Sequence, residues 1–171
     1  MDFKELVKKR FSVRKYSDRP VEQEKLDRIL EMLLIAPTAK NQQPQRVYVL
    51  QSKEALEKID TLTLCRFGAP VVLLFTYNED EQWRHPDEKG VCSGIEDVSI
   101  VATHIMLAAA ELDLGTVWCN GFPHKRLEKA FGLPKNEHSV ILMPIGYRAD
   151  DAKPSPMHEA TKLLEEMVKV L

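Results

Sequence analysis

A short basic segment near the amino terminus carries side chains suited to binding an anion. Residues 10–14 read Arg-Phe-Ser-Val-Arg. If this segment is extended, Arg10, Ser12 and Arg14 point to one side of the chain. Their guanidinium and hydroxyl groups can then bind a phosphate or another delocalised anion. The alternative is a solvent-exposed basic stretch at the end of a helix, where positive charge interacts favourably with the helix dipole.

Three later segments follow predicted helices or strands. Residues 37–44 read Pro-Thr-Ala-Lys-Asn-Gln-Gln-Pro, and their amide groups can hydrogen-bond a planar heterocycle. The alternative for them is a polar loop after a helix that ends at Pro37. Residues 118–122, Trp-Cys-Asn-Gly-Phe, and residues 153–156, Lys-Pro-Ser-Pro, each follow a predicted strand. The alternative for residues 118–122 is a strand end with a buried tryptophan.

In their order and spacing, these segments resemble those of the nitroreductase family, whose members are FMN enzymes that work as homodimers. The family loop contains a small residue and proline, two small hydroxylated residues, an asparagine and a glutamine–proline pair. The residues that match it are Ala36, Pro37, Thr38, Ala39, Asn41, Gln43 and Pro44. Two positions depart from the pattern, because Ala39 lacks the usual hydroxyl and Gln45 replaces a common aromatic residue.

The resemblance implies roles for the charged residues around FMN. Arg10 and Ser12 would bind the phosphate with help from Lys153. Arg14 would meet the pyrimidine edge of the ring and favour the reduced anion through charge pairing. Ser155 stands where the family often has an arginine that serves the phosphate.

The resemblance also implies how the ring is held. Residues 37–43 would contact the ring and ribityl chain, largely in the partner subunit, and backbone amides of residues 119–121 would reach flavin N5 and O4. The complete predicted cofactor-binding set is Arg10, Phe11, Ser12, Arg14, Pro37, Thr38, Ala39, Asn41, Gln43, Cys119, Asn120, Gly121, Lys153 and Ser155.

The implied activity is that of an NAD(P)H-dependent oxidoreductase. Hydride would pass from NADH or NADPH to flavin N5 and then to a small acceptor such as a nitroaromatic or a quinone, in a ping-pong mechanism. No side chain need act as a general acid or base. Two alternatives stay open: a flavin-binding or storage module without turnover, and a relative that removes halogen from its substrate or destroys the flavin.

Hydrophobic periodicity predicts the elements that would position these residues. Helices are predicted over residues 3–10, 26–34, 95–114, 124–131 and 160–168, with a short one capped by Ser52, and strands over residues 46–50, 70–77, 116–119 and 139–145. With the resemblance, this order predicts an α+β, three-layer nitroreductase-like fold. A central mixed sheet would be flanked by helices in a single FMN-binding domain over residues 1–171, within an intertwined homodimer.

Several local features carry further expectations. Asp2 and Glu5 form a predicted capping box. The helix over 95–114 carries small and apolar residues beyond one face, which indicates a core or subunit-interface position, and Gly115 is its predicted C′ residue. Gly146 is expected to need a special backbone geometry. The polar residues 78–94 form a long connection typical of a mobile lid.

Composition excludes several classes of function. The chain has a net charge of −2, so no basic surface indicates a nucleic-acid partner. Its three cysteines have no CxxC spacing and its five histidines have no metal-ligand spacing, so no metal site is expected. No apolar run approaches a membrane span, and the chain starts in a charged helix without a signal region. A cytoplasmic protein is therefore expected.

Overall fold

Four strands form a central sheet in the computed structural model, which describes residues 2–171. They are β1 (Gln45–Leu50), β2 (Val71–Asn78), β3 (Gly115–Thr116) and β4 (Glu137–Gly146), in the order β1-β2-β4-β3. Every pair of neighbouring strands is antiparallel. A mixed sheet was predicted, but within residues 2–171 the only parallel pairing is a single bridge between Ser12 and Thr116. The basic segment meets the edge strand at this single residue pair.

Helices flank the sheet on both faces. They are α1 (Phe3–Lys9), α2 (Gln23–Leu30), α3 (Met32–Ile35), α4 (Lys53–Asp60), α5 (Gly94–Glu111), α6 (His124–Phe131) and α7 (Leu164–Met167). The predicted capping box is confirmed, because the Asp2 carboxylate accepts the Glu5 N–H at 2.8 Å and Glu5 accepts the Asp2 N–H at 3.1 Å. Ser52 caps α4 as predicted. These caps satisfy amides that the first turn of a helix leaves unpaired.

Strand β2 separates two hydrophobic layers. Leu73 and Phe75 pack in the cluster formed with α2 and α5, whereas Val72 and Leu74 pack in the cluster formed with α4 and α6. All four side chains are fully buried. Because successive strand residues face opposite sides, a continuous apolar run requires cover on both faces. The predicted three-layer α+β fold is confirmed.

Two predicted helices are interrupted or shortened. The helix over 26–34 divides at Glu31, where Leu34 N–H bonds the Glu31 carbonyl three residues back and tightens the turn. The final helix, expected over 160–168, is reduced to the single turn α7. Its apolar side chains, including Leu164 and Met167, are exposed. A helix this short gains little stability without a packed face.

The expectations for two glycines are corrected. Helix α5 ends at Glu111, and Asp113, with φ of 60°, adopts the left-handed conformation instead of Gly115, which lies in β3. Gly146 does not have a positive φ. Glycine is required there because the Pro70 ring lies close to the backbone, so that a Cβ at residue 146 would lie 2.7 Å from Pro70 Cδ.

The connection over residues 78–94 is tied to the body of the fold rather than free of it. The guanidinium of Arg46 donates to both carboxylate oxygens of Glu81 at 2.6 Å. His138 Nε2 lies 2.8 Å from Glu79 Oε2. Residue 84 pairs with residue 92 inside the connection. These contacts give the connection a defined shape, and its role as a mobile lid stays a prediction.

Candidate functional site

A polar cleft of about 360 Å³ lies where the basic segment meets the chain that follows β4. It is lined by Ser12, Arg14, Lys15, Asp151, Ala152, Lys153 and Ser155. Backbone pairing holds the two segments together: Ala149 N–H donates to the Lys15 carbonyl at 3.1 Å, and Tyr16 pairs with Arg148. Four predicted cofactor-binding residues are thereby brought together: Ser12, Arg14, Lys153 and Ser155.

The cleft has an excess of positive charge. Lys15 is neutralised by Asp151, and the neighbouring ammonium group lowers the pKa of the Asp151 carboxyl below its usual value. Arg14 and Lys153 form no salt bridge with any residue of the range 2–171. Two cations beside the Ser12 hydroxyl fit an anionic ligand, which binds through charge-assisted hydrogen bonds.

Arg10 and Phe11 line a separate, smaller pocket of about 30 Å³, which Asp113 and Arg148 also line. Burial lowers the pKa of the Arg10 guanidinium, and its side chain donates no hydrogen bond to the described part of the chain. Phe11 packs edge-on against His158, with ring centroids 6.3 Å apart. Alternation holds over residues 11–14, since Ser12 and Arg14 line the cleft and Phe11 and Val13 line the pocket. Arg10 does not follow it, because it is the C-cap residue of α1 and its N–H bonds the Leu6 carbonyl.

The loop over residues 37–43 has an unusual backbone. Lys40, Asn41 and Gln43 have φ values of 50°, 57° and 50°, in the left-handed region that non-glycine residues rarely adopt. The Gln43 N–H donates to Thr38 Oγ1 at 3.1 Å. Pro37 and the side chains of Asn41 and Gln43 are exposed. The loop therefore exposes polar side chains, although Gln43 Nε2 donates to the Asn41 carbonyl at 3.2 Å, and its contact with a ring stays a prediction.

A buried carboxylate, missed by the sequence analysis, anchors this loop. Asp97, in the first turn of α5, is 1% exposed. Its Oδ1 accepts a hydrogen bond from Ala39 N–H at 2.8 Å, and its Oδ2 accepts one from Ser93 Oγ at 2.6 Å. The signal that could have revealed it is an acidic residue on the apolar face of α5, four residues before the buried Val101.

In residues 119–121 the Cys119 N–H donates to the Leu142 carbonyl at 3.0 Å, whereas Asn120 and Gly121 are exposed. Asn120 Nδ2 donates to the Val140 carbonyl at 2.8 Å, and Trp118 Nε1 donates to Asn120 Oδ1 at 2.6 Å. Within residues 2–171, the backbone N–H groups of Asn120 and Gly121 donate to no acceptor. Burial and the nearby Cys65 raise the pKa of the Cys119 thiol to about 12. Cys119 is therefore an uncharged thiol at neutral pH.

The secondary structure sets the distances between the basic cleft, the free amides of residues 120–121 and the 37–43 loop. Thr116 pairs with Ser12, and Asn120 and Gly121 follow four and five residues later, so their free amides lie about 13 and 17 Å along an extended chain from the cleft. Asp97 and Ala110 lie thirteen residues apart on α5, which corresponds to about 20 Å. Ala110 lines the pocket that holds Arg10. The 37–43 loop thus lies far from the basic segment of its own chain.

Comparison of the sequence with known protein families identifies the family of this chain. The model of the nitroreductase family matches residues 7–67 and 65–147. The chain belongs to this family. The crystal structure of a nitroreductase family protein from Clostridium difficile 630 has a TM-score of 0.91 and 38% sequence identity, and the match covers 99% of this chain and 98% of that one.

Two nitroreductase relatives with functional names are also similar in sequence. A protein of Methanothermobacter thermautotrophicus, provisionally named as an NADH dehydrogenase/NAD(P)H nitroreductase, is 32% identical over 160 residues, covering 88% of this chain and 80% of that protein. The FMN reductase [NAD(P)H] of Bacillus subtilis is 34% identical over 163 residues, covering 85% of this chain and 65% of the reductase. The predictions of family and of an oxidoreductase are confirmed.

Two further findings concern the described residues as a whole. No group of three or more histidine, cysteine, aspartate or glutamate side chains within residues 2–171 is arranged to hold a metal ion. None of the helices in this range combines the length and apolarity needed to cross a membrane.

Proposed function

We propose that this nitroreductase family member is an FMN-dependent oxidoreductase. It transfers a hydride from NADH or NADPH, by way of flavin N5, to a small acceptor such as a nitroaromatic or a quinone, in a ping-pong mechanism. The observation that carries the proposal is the cleft in which Ser12, Arg14 and Lys153 come together, with two cations that form no salt bridge in residues 2–171. The name of the Bacillus subtilis relative supports both FMN and NAD(P)H.

The phosphate end of the cofactor fits the basic cleft. Ser12 and Lys153 would bind the phosphate there, and Arg10, which lines a separate pocket and donates no side-chain hydrogen bond within residues 2–171, would add a guanidinium. Ser155 holds the local backbone, because its Oγ accepts the Met157 N–H at 3.3 Å. Each charge-assisted contact contributes about 1.5–3 kcal/mol to binding.

The ring end fits the unpaired backbone amides of Asn120 and Gly121. When bound, FMN supplies the hydride chemistry, and the protein supplies binding and orientation. Two amides aimed at the ring edge orient it without a titrating side chain. Arg14, in the cleft, would stabilise negative charge on the pyrimidine edge of a reduced ring. No catalytic side chain is proposed.

The assembly proposed is a homodimer with flavin sites at the subunit interface. The distance of about 20 Å along α5 separates the 37–43 loop from the basic segment and favours a site completed by another copy. Large apolar side chains are exposed near this loop and on α5, as an interface requires: Leu34, Ile35, Ile95 and Ile100. Residues 1–171 are proposed to form one FMN-binding domain that acts in the cytoplasm, with no nucleic-acid or membrane partner.

The visible spectrum of the purified protein tests the cofactor, since bound flavin absorbs where the protein does not. Stopped-flow mixing with NADH or NADPH then separates an enzyme from a flavin-storage module, because only the enzyme bleaches its flavin rapidly. Sedimentation of the apo and FMN-loaded protein over a dilution series tests the assembly. FMN is expected to stabilise the dimer by mass action, and a monomer that keeps its flavin at nanomolar concentration would contradict the shared site.

A further inference from the structure

We infer that Asp97 is a positioning residue that sets the backbone of the 37–43 loop and thereby the affinity for FMN. The inference rests on the proposed function, because it assigns the loop to the flavin site. Asp97 does not reach the cofactor itself; its carboxylate is 1% exposed and acts through the Ala39 amide.

The carboxylate occupies a junction between three segments. One oxygen binds Ala39 in the loop, and the other binds Ser93, which precedes α5. The Ser93 hydroxyl oxygen in turn accepts the Trp83 N–H at 3.1 Å. Asp97 therefore connects the 37–43 loop with the start of α5 and with the 78–94 connection.

The negative charge at this junction is matched by dipoles rather than by a cation. Asp97 forms no salt bridge with residues 2–171. It lies in the first turn of α5, where the helix dipole favours an anion, and its two hydrogen bonds are charge-assisted. A buried carboxylate is costly to maintain. This one holds the amide immediately before the loop residues with left-handed backbone.

Those residues need an external constraint. Lys40 and Asn41 follow Ala39 directly, and both have positive φ without being glycine. Such conformations persist where the surrounding structure holds them, and they concentrate at functional sites. Fixing Ala39 determines where the strained turn begins and so where the Asn41 and Gln43 amides lie.

FMN titration followed by quenching of flavin fluorescence tests this role. Asp97→Asn retains the shape and one acceptor but removes the charge, and it is expected to weaken FMN binding about tenfold. Asp97→Ala removes both acceptors and is expected to weaken binding more. The matched control is Glu96→Gln, which removes the same charge one position earlier from an exposed side chain and leaves FMN affinity unchanged.

A double-mutant cycle separates positioning from a general loss of stability. Ala39→Pro removes the donor, and the site tolerates proline because Thr38 is extended and Ala39 begins a 3-10 turn. If Asp97 acts through the Ala39 amide, adding Asp97→Asn to Ala39→Pro causes little further loss of FMN affinity. Additive losses would overturn the inference, because additivity indicates independent effects.

The outcomes distinguish this inference from the proposed function. A wild-type protein that binds no FMN would refute the proposed function. A wild-type protein that binds FMN, together with an Asp97→Asn variant of equal affinity, would refute the role of Asp97 alone. If Asp97→Ala does not fold, Asp97→Asn and Ala39→Pro still decide between these outcomes.

Discussion

Replacing Arg14 with alanine should lower the reduction potential of the bound flavin. Arg14 lines the basic cleft and forms no salt bridge in residues 2–171; its recorded contact there is Nη1 to the Ser12 carbonyl at 3.4 Å. Its charge is therefore available to a ligand. Reduction adds negative charge to the ring, so a nearby guanidinium stabilises the reduced form more than the oxidised form.

The size of the effect follows from Coulomb's law with screening. Two unit charges about 6 Å apart interact by about 2.8 kcal/mol at an effective dielectric constant of about 20, and by about 0.7 kcal/mol in water. Arg14 is exposed, so the lower part of this range applies. A value of about 1 kcal/mol corresponds to about 20 mV for a two-electron couple.

Anaerobic equilibration of the holoprotein with a dye of known potential measures this shift. The matched control is Lys53→Ala, which removes one positive charge from a side chain 87% exposed on α4. Lys53→Ala should leave the potential unchanged, and the Arg14→Ala shift should shrink as salt screens the charge. An unchanged or raised potential in Arg14→Ala, or an equal shift in both variants, would refute the reasoning.

Three other predictions concern binding and stability. Lys153→Ala should weaken FMN binding about tenfold at low salt and less at high salt, which fluorescence titration in two buffers will show. Gly146→Ala should destabilise the fold by about 1–3 kcal/mol, because the new Cβ would lie 2.7 Å from a proline ring carbon. Thermal unfolding measures this, and Gly121→Ala, where a Cβ meets open space, is the stability control. Burial, and then the neighbouring Cys65, raise the pKa of the Cys119 thiol from 9.0 to about 12 in the folded protein. The uncharged thiol therefore stabilises the fold fully below pH 9, and this stabilisation is lost as the pH rises from 9 to about 12. Urea unfolding over this pH range should therefore show a steeper loss of stability in the wild type than in Cys119→Ala; equal slopes would contradict the assignment.

Much of the fold could be predicted from local patterns. The capping box at Asp2, the cap at Ser52 and the buried run of β2 depend on residues close together in the sequence, so neighbouring residue types suffice to predict them. The division of the second helix at Glu31 could not be predicted this way. A tightened turn competes with a continuous helix by little energy, and packing against other elements decides between them.

For the candidate site, the sequence identified segments and their chemistry but not their partners. Ser12, Arg14, Lys153 and Ser155 were predicted as cofactor-binding residues, and the structure brings them to one cleft. Arg10 was predicted with Ser12 and lies in the separate pocket instead. The difference arises because Arg10 still belongs to the end of α1, as its C-cap, so the alternation of the extended segment begins only after it.

The sequence by itself determined the family, the α+β class and the residue types available for an anion and a flavin ring, because spacing along the chain preserves these. Tertiary structure alone decided that the Asp97 carboxylate anchors the 37–43 loop, that backbone amides of Asn120 and Gly121 are unpaired in residues 2–171, and that Gly146 is required by a proline 76 residues earlier. These features depend on contacts between residues far apart in the chain. Such contacts are set by how whole layers pack, and no local pattern encodes them.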